Sequence, residues 1–277
     1  MTVHQVQLAA AAATDVGLVR RANEDSALAQ WPVYAVADGM GGYEAGDRAS
    51  AAVIDAFRAH VAGNEVASIA QVRAALADAT LAVAAVADTT ERGAGSTIAG
   101  VALVDDEGEP AWLVFNVGDS RVYRHHGTEL EQLTVDHSLA QELVDAGELR
   151  PEDREQFAQR NVITRAIGGP DSTADSWLLP VVNGERLLIC SDGLTGEVSD
   201  ESIRATLTMG GRAESVATAL VQRARQAGGR DNITVVVVDV ISGGVDELSD
   251  ATTGVVRGAD AAASDDDHTT IPVRSCS

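Results

Sequence analysis

Blocks of apolar residues along this chain predict strands and helices, and their order indicates how the two are layered. Runs short enough to be buried strands lie at residues 33–37, 97–104, 111–117, 177–181, 186–190 and 233–240. Shorter strands are predicted at 121–124 and 129–133, and the segment 14–25 begins like a strand before it becomes densely polar. Apolar residues recur at helical spacing in residues 44–62, 65–88, 200–208 and 213–227. Because strands and helices come in blocks and do not alternate strictly, we predict an α+β fold built on antiparallel sheets.

Two polar segments stand out from this pattern. Residues 138–170 interrupt the strands with charged helical pieces, with Pro151 at a helix start and Gly168-Gly169-Pro170 as a stop. A polar helical insertion in a β-rich domain is a candidate flap near a functional site. From residue 242 onwards Gly, Ser, Thr, Ala and acids dominate without periodicity, so we expect a disordered acidic tail at 242–277. The domain would then span residues 1–241.

Composition restricts the class of protein. The net charge of −22 argues against a nucleic-acid partner, since phosphate backbones are bound by basic patches. All 20 basic residues are Arg. The two cysteines, Cys190 and Cys276, cannot form a disulfide framework. The N-terminus lacks the basic region of a signal peptide, and no window approaches the ~18 apolar residues that cross a membrane. We therefore expect a soluble, cytoplasmic monomer without membrane association.

The same local pattern, an apolar strand with an aspartate at its end, occurs four times. The aspartates are Asp38, Asp119, Asp192 and Asp231, each beside glycines that allow a sharp turn or a close backbone approach. Any one of them alone could be a solvated turn residue. Together they predict a carboxylate-lined metal site, and oxygen ligands without a His or Cys pair favour Mg²⁺ or Mn²⁺ over structural Zn²⁺.

Such a metal pair has a definite chemical use. Two cations ~4 Å apart can acidify a bridging water and produce a hydroxide nucleophile near neutral pH. Arg20, just upstream of Asn23-Glu24-Asp25, has the planar fork that suits a phosphoryl group. The alternative for Arg20 is a surface ion pair with Glu24, four residues along the chain.

These motifs together resemble a known family, the metal-dependent PPM (type 2C) serine/threonine phosphatases in their compact bacterial form. The matching pieces stand in the family's order: Gly17-Leu18-Val19-Arg20 with Asn23-Glu24-Asp25, Val36-Ala37-Asp38-Gly39-Met40-Gly41-Gly42, Gly95-Ser96-Thr97, Gly118-Asp119-Ser120-Arg121, Ser191-Asp192-Gly193-Leu194 and Gly229-Arg230-Asp231-Asn232. They cover roughly residues 5–241. Each piece is weak singly, whereas the ordered set is specific.

The resemblance implies a fold and a set of roles. The fold would be a four-layer α-β-β-α sandwich of two antiparallel sheets flanked by helix pairs. Two or three Mn²⁺ or Mg²⁺ ions would be held by Asp38 as the bridging ligand, the Gly39 carbonyl, Asp192 and Asp231, with Asp119 and Asp192 at the third ion. Arg20 would bind the substrate phosphate, and Glu24 and Asp25 would hold metal-bound waters from outside the ligand set.

The implied activity is hydrolysis of phosphoserine and phosphothreonine in proteins by direct attack of a metal-bridging hydroxide. The implied partners are phosphoprotein substrates, among them a bacterial Ser/Thr kinase and its targets. Two other functions remain open at this stage: a non-catalytic phosphoprotein-binding module, and a hydrolase of small phosphorylated metabolites. The resemblance departs from the family at Met40, where many eukaryotic members have a histidine that is a candidate general acid. His137 could donate the proton instead, or be a structural histidine.

Overall fold

A computed structural model describes residues 6–41, 45–61 and 63–246 of the 277-residue chain. Its strands are β1 (Gln7–Asp15), β2 (Asp25–Gln30), β3 (Val33–Gly41), β4 (Ala94–Ser96), β5 (Ile98–Asp106), β6 (Glu109–Val117), β7 (Arg121–His126), β8 (Glu129–Gln132), β9 (Asp175–Pro180), β10 (Arg186–Cys190) and β11 (Ile233–Ser242). Its helices are α1 (Ala45–Val61), α2 (Ile69–Ala87), α3 (Leu139–Asp145), α4 (Asp192–Thr195), α5 (Asp200–Thr208) and α6 (Ala213–Ala227), with a 3-10 helix at Pro151–Gln156.

The strands form two antiparallel sheets. The first has the order β1-β11-β10-β7-β8, and the second has the order β2-β3-β5-β6-β9 with the short β4 paired to β3. The first and last strands of the domain are direct neighbours, since Ala13 of β1 lies opposite Val235 of β11. Both ends of the described chain therefore meet in one sheet.

Three hydrophobic clusters separate the layers. The sheets face each other across a cluster that includes Val36, Trp112 and Val236. Helices α1 and α2 cover the outer face of the second sheet, where Phe57 stacks on Phe115 with ring centroids 5.0 Å apart. Helices α5 and α6 cover the outer face of the first sheet. The predicted four-layer α-β-β-α sandwich of antiparallel sheets is confirmed.

Helix α2 corrects the expectation that no segment could cross a membrane. Its 19 residues have a mean hydropathy of 1.5, which meets the length and composition of a membrane span, and it is the one helix of the described segments to do so. Five of its residues, among them Val72, Leu76 and Val83, are nevertheless buried. They belong to the cluster under the second sheet, so that α2 packs as a core helix here.

Three strands were not predicted, because their sequences lack the usual signals. Strand β1 reads QLAAAAATD, and alanine favours helices over strands. Strand β2 (DSALAQ) is mostly polar, and β4 has three residues. The segment 14–25, expected to begin a strand, instead contains the end of β1, a loop and the first residue of β2. Pairing with β11 and β3, and not local propensity, makes these segments strands.

The end of the domain lies a few residues beyond the predicted boundary. Strand β11 continues through Ser242, and Val245 then exchanges backbone hydrogen bonds with Val181 and Asn183. Residues 243–246 therefore belong to the domain. The tail expected to be disordered spans residues 242–277, and its residues 247–277 lie outside the described segments.

Candidate active site

The four strand-end aspartates meet at one end of the sandwich. Asp38 lies in β3, Asp119 follows β6, Asp192 begins α4 just after β10, and Asp231 precedes β11. Asp38 and Asp192 lie close enough that each carboxyl group shifts the pKa of the other. Asp119 and Asp231 are close enough to raise the pKa of Asp38 further. The structure thus places the four aspartates at the same end of the sandwich, while their roles as metal ligands stay predictions.

Burial sets the electrostatics of this cluster. Removal from water raises the pKa of Asp38 well above its usual value, and the neighbouring Asp25 and Asp192 carboxylates raise it further. Burial likewise raises the pKa of Asp119, whose Oδ1 atom is buried without a hydrogen-bond partner. It raises the pKa of Asp25 to about 7. Crowded, poorly solvated carboxylates are costly by themselves, and a bound dication would offset that cost.

The backbone around Asp38 is held by short polar side chains from the adjacent strands. Thr97 Oγ1 accepts a hydrogen bond from the Asp38 N–H (3.0 Å), and Ser96 Oγ donates one to the Asp38 carbonyl (3.1 Å). Gly39 packs so closely on α1 that an added Cβ would lie 1.9 Å from the Gly46 carbonyl oxygen. Only glycine fits there. The sequence identified Gly39 only as an expected metal ligand. It did not show that the close contact with Gly46 requires glycine at this position.

Asn232 positions the loop between β1 and β2, a role that its place in the Gly229-Arg230-Asp231-Asn232 motif did not reveal. Its side chain is buried and donates to the carbonyls of Val16 (3.0 Å) and Ala22 (2.9 Å). Its Oδ1 atom accepts from the Glu24 N–H at 2.8 Å. This one side chain therefore fixes the loop that contains Arg20 against the start of β11, next to Asp231. An asparagine directly before the apolar run of β11 was the available signal.

Arg20 is paired across the site and not with Glu24 as the alternative had it. Its Nη2 atom lies 2.6 Å from Asp231 Oδ2, and its side chain is half exposed. Glu24 acts on Arg20 only as a nearby charge, and burial raises the pKa of Glu24. The guanidinium therefore lies beside the carboxylate cluster with part of its surface open to solvent.

Asp25 joins the two sheets at the site. It lies opposite Asp38 in the β2–β3 pairing, and its Oδ2 atom accepts a 2.8 Å hydrogen bond from Ser191, just before α4. The other oxygen, Oδ1, is buried without a partner. The unpartnered Oδ1 atom leaves an acceptor available to a water, and the role of Asp25 toward metal-bound waters stays a prediction.

His137 is buried and structural in its contacts. Its Nδ1 atom accepts from the Gly118 N–H at 3.1 Å, and its Nε2 atom lies 3.4 Å from Asp175 and 3.3 Å from Arg165. Its backbone N–H also donates to the Gly118 carbonyl. His137 therefore positions the turn before Asp119, and the geometry favours the structural alternative over proton donation to a leaving group.

The residues fit divalent cations, with one qualification on the ligand set. Within residues 6–41, 45–61 and 63–246, no three Asp, Glu, His or Cys side chains are placed to hold an ion by themselves. The expected trio of Asp38, Asp192 and Asp231 is therefore not gathered around one point, and Asp231 forms an ion pair with Arg20. Mg²⁺ needs only one or two carboxylates and keeps several waters, which the Asp38–Asp192 pair and its orphaned neighbours can satisfy. The individual ligand roles stay predictions.

A cavity of about 260 Å³, here called the site cavity, opens beside this cluster. Asp119, Asp192 and Asp231 line one part of it, and Arg154 and Arg160 of the 138–170 segment line another. That segment contains α3 and the 3-10 helix with Pro151 at its start, and it is joined to the site by backbone hydrogen bonds between Ile167 and Ser96. The flap predicted for residues 138–170 thus borders the site.

Comparisons with known proteins were consistent with this geometry. The sequence model of the family described as protein phosphatase 2C matches residues 21–235. The chain is 38% identical over 266 residues to the serine/threonine protein phosphatase PstP of Mycobacterium tuberculosis, covering 95% of this chain and 49% of the relative. It thus spans about half the length of that curated relative.

Solved structures are similar in fold as well as in sequence. The crystal structure of the M. tuberculosis serine/threonine phosphatase PstP/Ppp matches with a TM-score of 0.79 and 37% identity, covering 86% of this chain and 100% of that one. The catalytic domain of PstP in complex with two manganese ions matches with a TM-score of 0.74 and 36% identity, covering 86% and 99%. This chain is a member of the protein phosphatase 2C family.

Proposed function

We propose that this protein is a metal-dependent serine/threonine phosphatase that removes phosphate from phosphoproteins. The observation that carries the proposal is the Asp38–Asp192 pair with Asp119 and Asp231 around it, next to a half-exposed arginine. A carboxylate cluster suits Mn²⁺ or Mg²⁺, and an arginine beside it suits a phosphoryl group. The family and the manganese-bound relative support the same conclusion.

In this proposal one group of residues holds the cations and another holds the substrate. Asp38, the Gly39 carbonyl, Asp192 and Asp231 would hold two ions, and Asp119 would share a third with Asp192. When bound, such ions lower the pKa of water and supply a nucleophile near neutral pH. Glu24 and Asp25 would accept hydrogen bonds from metal-bound waters.

Arg20 binds and orients the phosphate in this proposal. Its guanidinium donates to two phosphate oxygens at once, which fixes the phosphorus next to the aspartates. Asp231 and the Asn232-bound loop hold the arginine in place before substrate arrives. No side chain of the enzyme needs to become phosphorylated, so the reaction would be a direct attack on phosphorus.

The substrates would be phosphoproteins, including a Ser/Thr kinase and its targets. We further infer a cytoplasmic monomer. The acidic composition and the two cysteines, one of them the free, buried Cys190, support that location.

The test is phosphate release from a phosphothreonine peptide by the full chain, with Mn²⁺ and then with excess EDTA. Release should require the metal and fall at least a hundredfold in Asp38→Asn and in Asp231→Asn, since each change removes charge from the cluster. Asp106→Asn, at the exposed β5–β6 hairpin, removes the same charge elsewhere and should retain full activity.

Binding of Mn²⁺, followed as a rise in melting temperature, reports the metal site separately from catalysis. Wild type and Asp106→Asn should show the rise, and Asp38→Asn should lose most of it. A folded wild type that binds Mn²⁺ but releases no phosphate from the peptide would contradict the proposal. Release from p-nitrophenyl phosphate alone would instead point to small phosphate esters as substrates.

A further inference from the structure

A second cavity of about 360 Å³ lies beside the active site without belonging to the carboxylate cluster. It opens where the end of β3, strand β4 and the last part of the flap meet, and Met40, Ile163 and Pro170 are among the apolar residues that line it. Arg92 and Arg165 are its charged residues. We call it the second cavity.

Its charge is opposite to that of its surroundings. The second cavity has two arginines and no carboxylate among its twelve lining residues, all of them within the described segments. The site cavity, by contrast, is lined by six carboxylates and four arginines, and the whole chain has 42 acidic residues against 20 arginines. A positive, partly apolar depression in so acidic a protein is suited to an acidic ligand with aliphatic atoms.

The two arginines differ in how their charge is used. Arg165 is paired, with Nη1 3.1 Å from Asp175 Oδ1 and Nε 3.5 Å from Asp171 Oδ2. Arg92 is exposed, and its guanidinium has no hydrogen bond or ion pair to any residue that the structure describes. The charge of Arg92 is therefore available for an ion pair with a ligand. The apolar side chains nearby lower the local dielectric constant, which strengthens such a pair.

The second cavity adjoins β3, the strand that contains Asp38. Met40 directly follows Gly39, the predicted metal ligand, and the Met40–Gly95 pairing of β3 with β4 forms one side of the cavity. Met40 lies two residues after Asp38 in β3, ~7 Å along an extended strand, so a side chain two or three residues from a phosphothreonine at Asp38 has the length to approach this cavity.

We propose that the second cavity binds the polypeptide that flanks the phosphorylated residue of the substrate, and that Arg92 selects an acidic side chain there. The inference rests on the phosphatase activity proposed above and adds a sequence preference to it. The aliphatic part of a glutamate lies along Met40 and Ile163, and its carboxylate accepts from the Arg92 guanidinium. The enzyme then favours phosphorylation sites in acidic sequences despite its own negative charge.

The experiment uses phosphothreonine peptides of one length, with Glu or Gln placed in turn at each of the three positions before and after the phosphothreonine. With the full chain and saturating Mn²⁺, we expect Glu to raise kcat/KM about two- to fivefold over Gln at one or more positions, the strength of an exposed ion pair. The gain should appear in KM with kcat unchanged, and should vanish near 1 M salt.

The variants assign the preference to Arg92. Arg92→Gln should abolish the Glu/Gln ratio, and Arg92→Lys should keep part of it. Arg73→Gln is the matched control, because Arg73 lies 14 residues before the end of α2 and therefore ~21 Å away along that helix. This variant should keep the full Glu/Gln ratio. All variants should hydrolyse p-nitrophenyl phosphate at the wild-type rate, because that ester has no flanking residues to reach the cavity.

The experiment distinguishes a failure of the proposed phosphatase activity from a failure of the proposed preference for Glu over Gln. Absence of hydrolysis of every peptide, with Glu and with Gln alike, would overturn the phosphatase activity, and the preference with it. Equal kcat/KM for Glu and Gln at every position, or a preference that survives in Arg92→Gln, would overturn the preference alone. A lowered rate on p-nitrophenyl phosphate in Arg92→Gln would also overturn it, since Arg92 would then act through the metal centre.

Discussion

At the scale of single residues, glycines set how closely the site can be assembled. Gly17 has a φ of +78°, and a Cβ at this position would lie 2.2 Å from the Asp231 carbonyl oxygen. Gly184 has nearly the same φ of +79°, but nothing lies within 4 Å of its Cβ position. The two positions therefore share the backbone strain and differ in the steric contact.

We predict that Gly17→Ala lowers the free energy of unfolding by about 2–5 kcal/mol, from left-handed backbone strain plus overpacking. Gly184→Ala should cost only the strain, about 1 kcal/mol. Urea unfolding of the two variants measures the difference, and activity assays should show a loss confined to Gly17→Ala. Equal destabilisation by the two changes would show that the contact with Asp231 can relax.

The residues of the site were predictable to different degrees. The four aspartates carried a local signal, because an apolar run with an aspartate and a glycine near one of its ends is visible in a short window of sequence. The Arg20–Asp231 ion pair carried none, since the two residues are 211 positions apart and the pair depends on the β1–β11 register. The Asn232 contacts to three backbone groups were invisible for the same reason.

At the scale of elements, helix α2 begins with a complete capping box. Ser68 Oγ accepts from the Gln71 N–H at 3.1 Å, and the Gln71 side chain accepts from the Ser68 N–H at 2.9 Å. These two bonds satisfy backbone donors that a helix start leaves without partners. They fix where the most apolar helix of the domain begins.

We predict that Ser68→Ala lowers the free energy of unfolding by about 1 kcal/mol, since one cap bond is lost. Ser215→Ala, an exposed position in α6, should be neutral or slightly stabilising because alanine favours helix. Thermal unfolding of both variants gives the comparison. Catalytic rates should be unchanged in each, as neither residue lies at the site, and a loss of activity in Ser68→Ala would indicate that α2 affects the site.

Elements with a strong periodic pattern were predicted closely, while those that depend on a partner were not. The amphipathic helices and the apolar strands matched within a few residues, for instance 213–227 against Ala213–Ala227. Strand β1 has no such pattern, and its alanines are accepted because small side chains fit beside β11 under α6. Burial against neighbouring elements decides whether such segments form strands, and a single sequence does not show which elements will be neighbours.

At the scale of the whole molecule, two asparagines tie loops to the opposite ends of the first sheet. Asn232 holds the Arg20 loop at the end that carries the site. Asn183, before β10, makes a similar set of bonds to Gly244 and Asp246 at the other end. They are chemically matched, and only one of them touches the active site.

We predict that Asn232→Ala lowers the free energy of unfolding by about 2–4 kcal/mol, because it leaves three backbone groups without partners. It should also lower kcat/KM about a hundredfold by releasing Arg20 from its position. Asn183→Ala should destabilise the fold and leave kcat/KM at the wild-type value. Denaturant titration and peptide kinetics on both variants decide this, and a similar kinetic loss in both would mean that stability alone governs activity.

The pairing of β1 with β11 determines when the candidate site can first assemble during synthesis of the chain. Residues from the N-terminal strand and loop meet residues that leave the ribosome some 210 positions later, so neither the first sheet nor the Arg20–Asp231 pair can form on a shorter nascent chain. Such long-range pairing is slow compared with local helix formation. A shorter nascent chain therefore contains Asp38 and residues 138–170 but lacks the Arg20–Asp231 pair, so the candidate site is complete only after β11 has been synthesised.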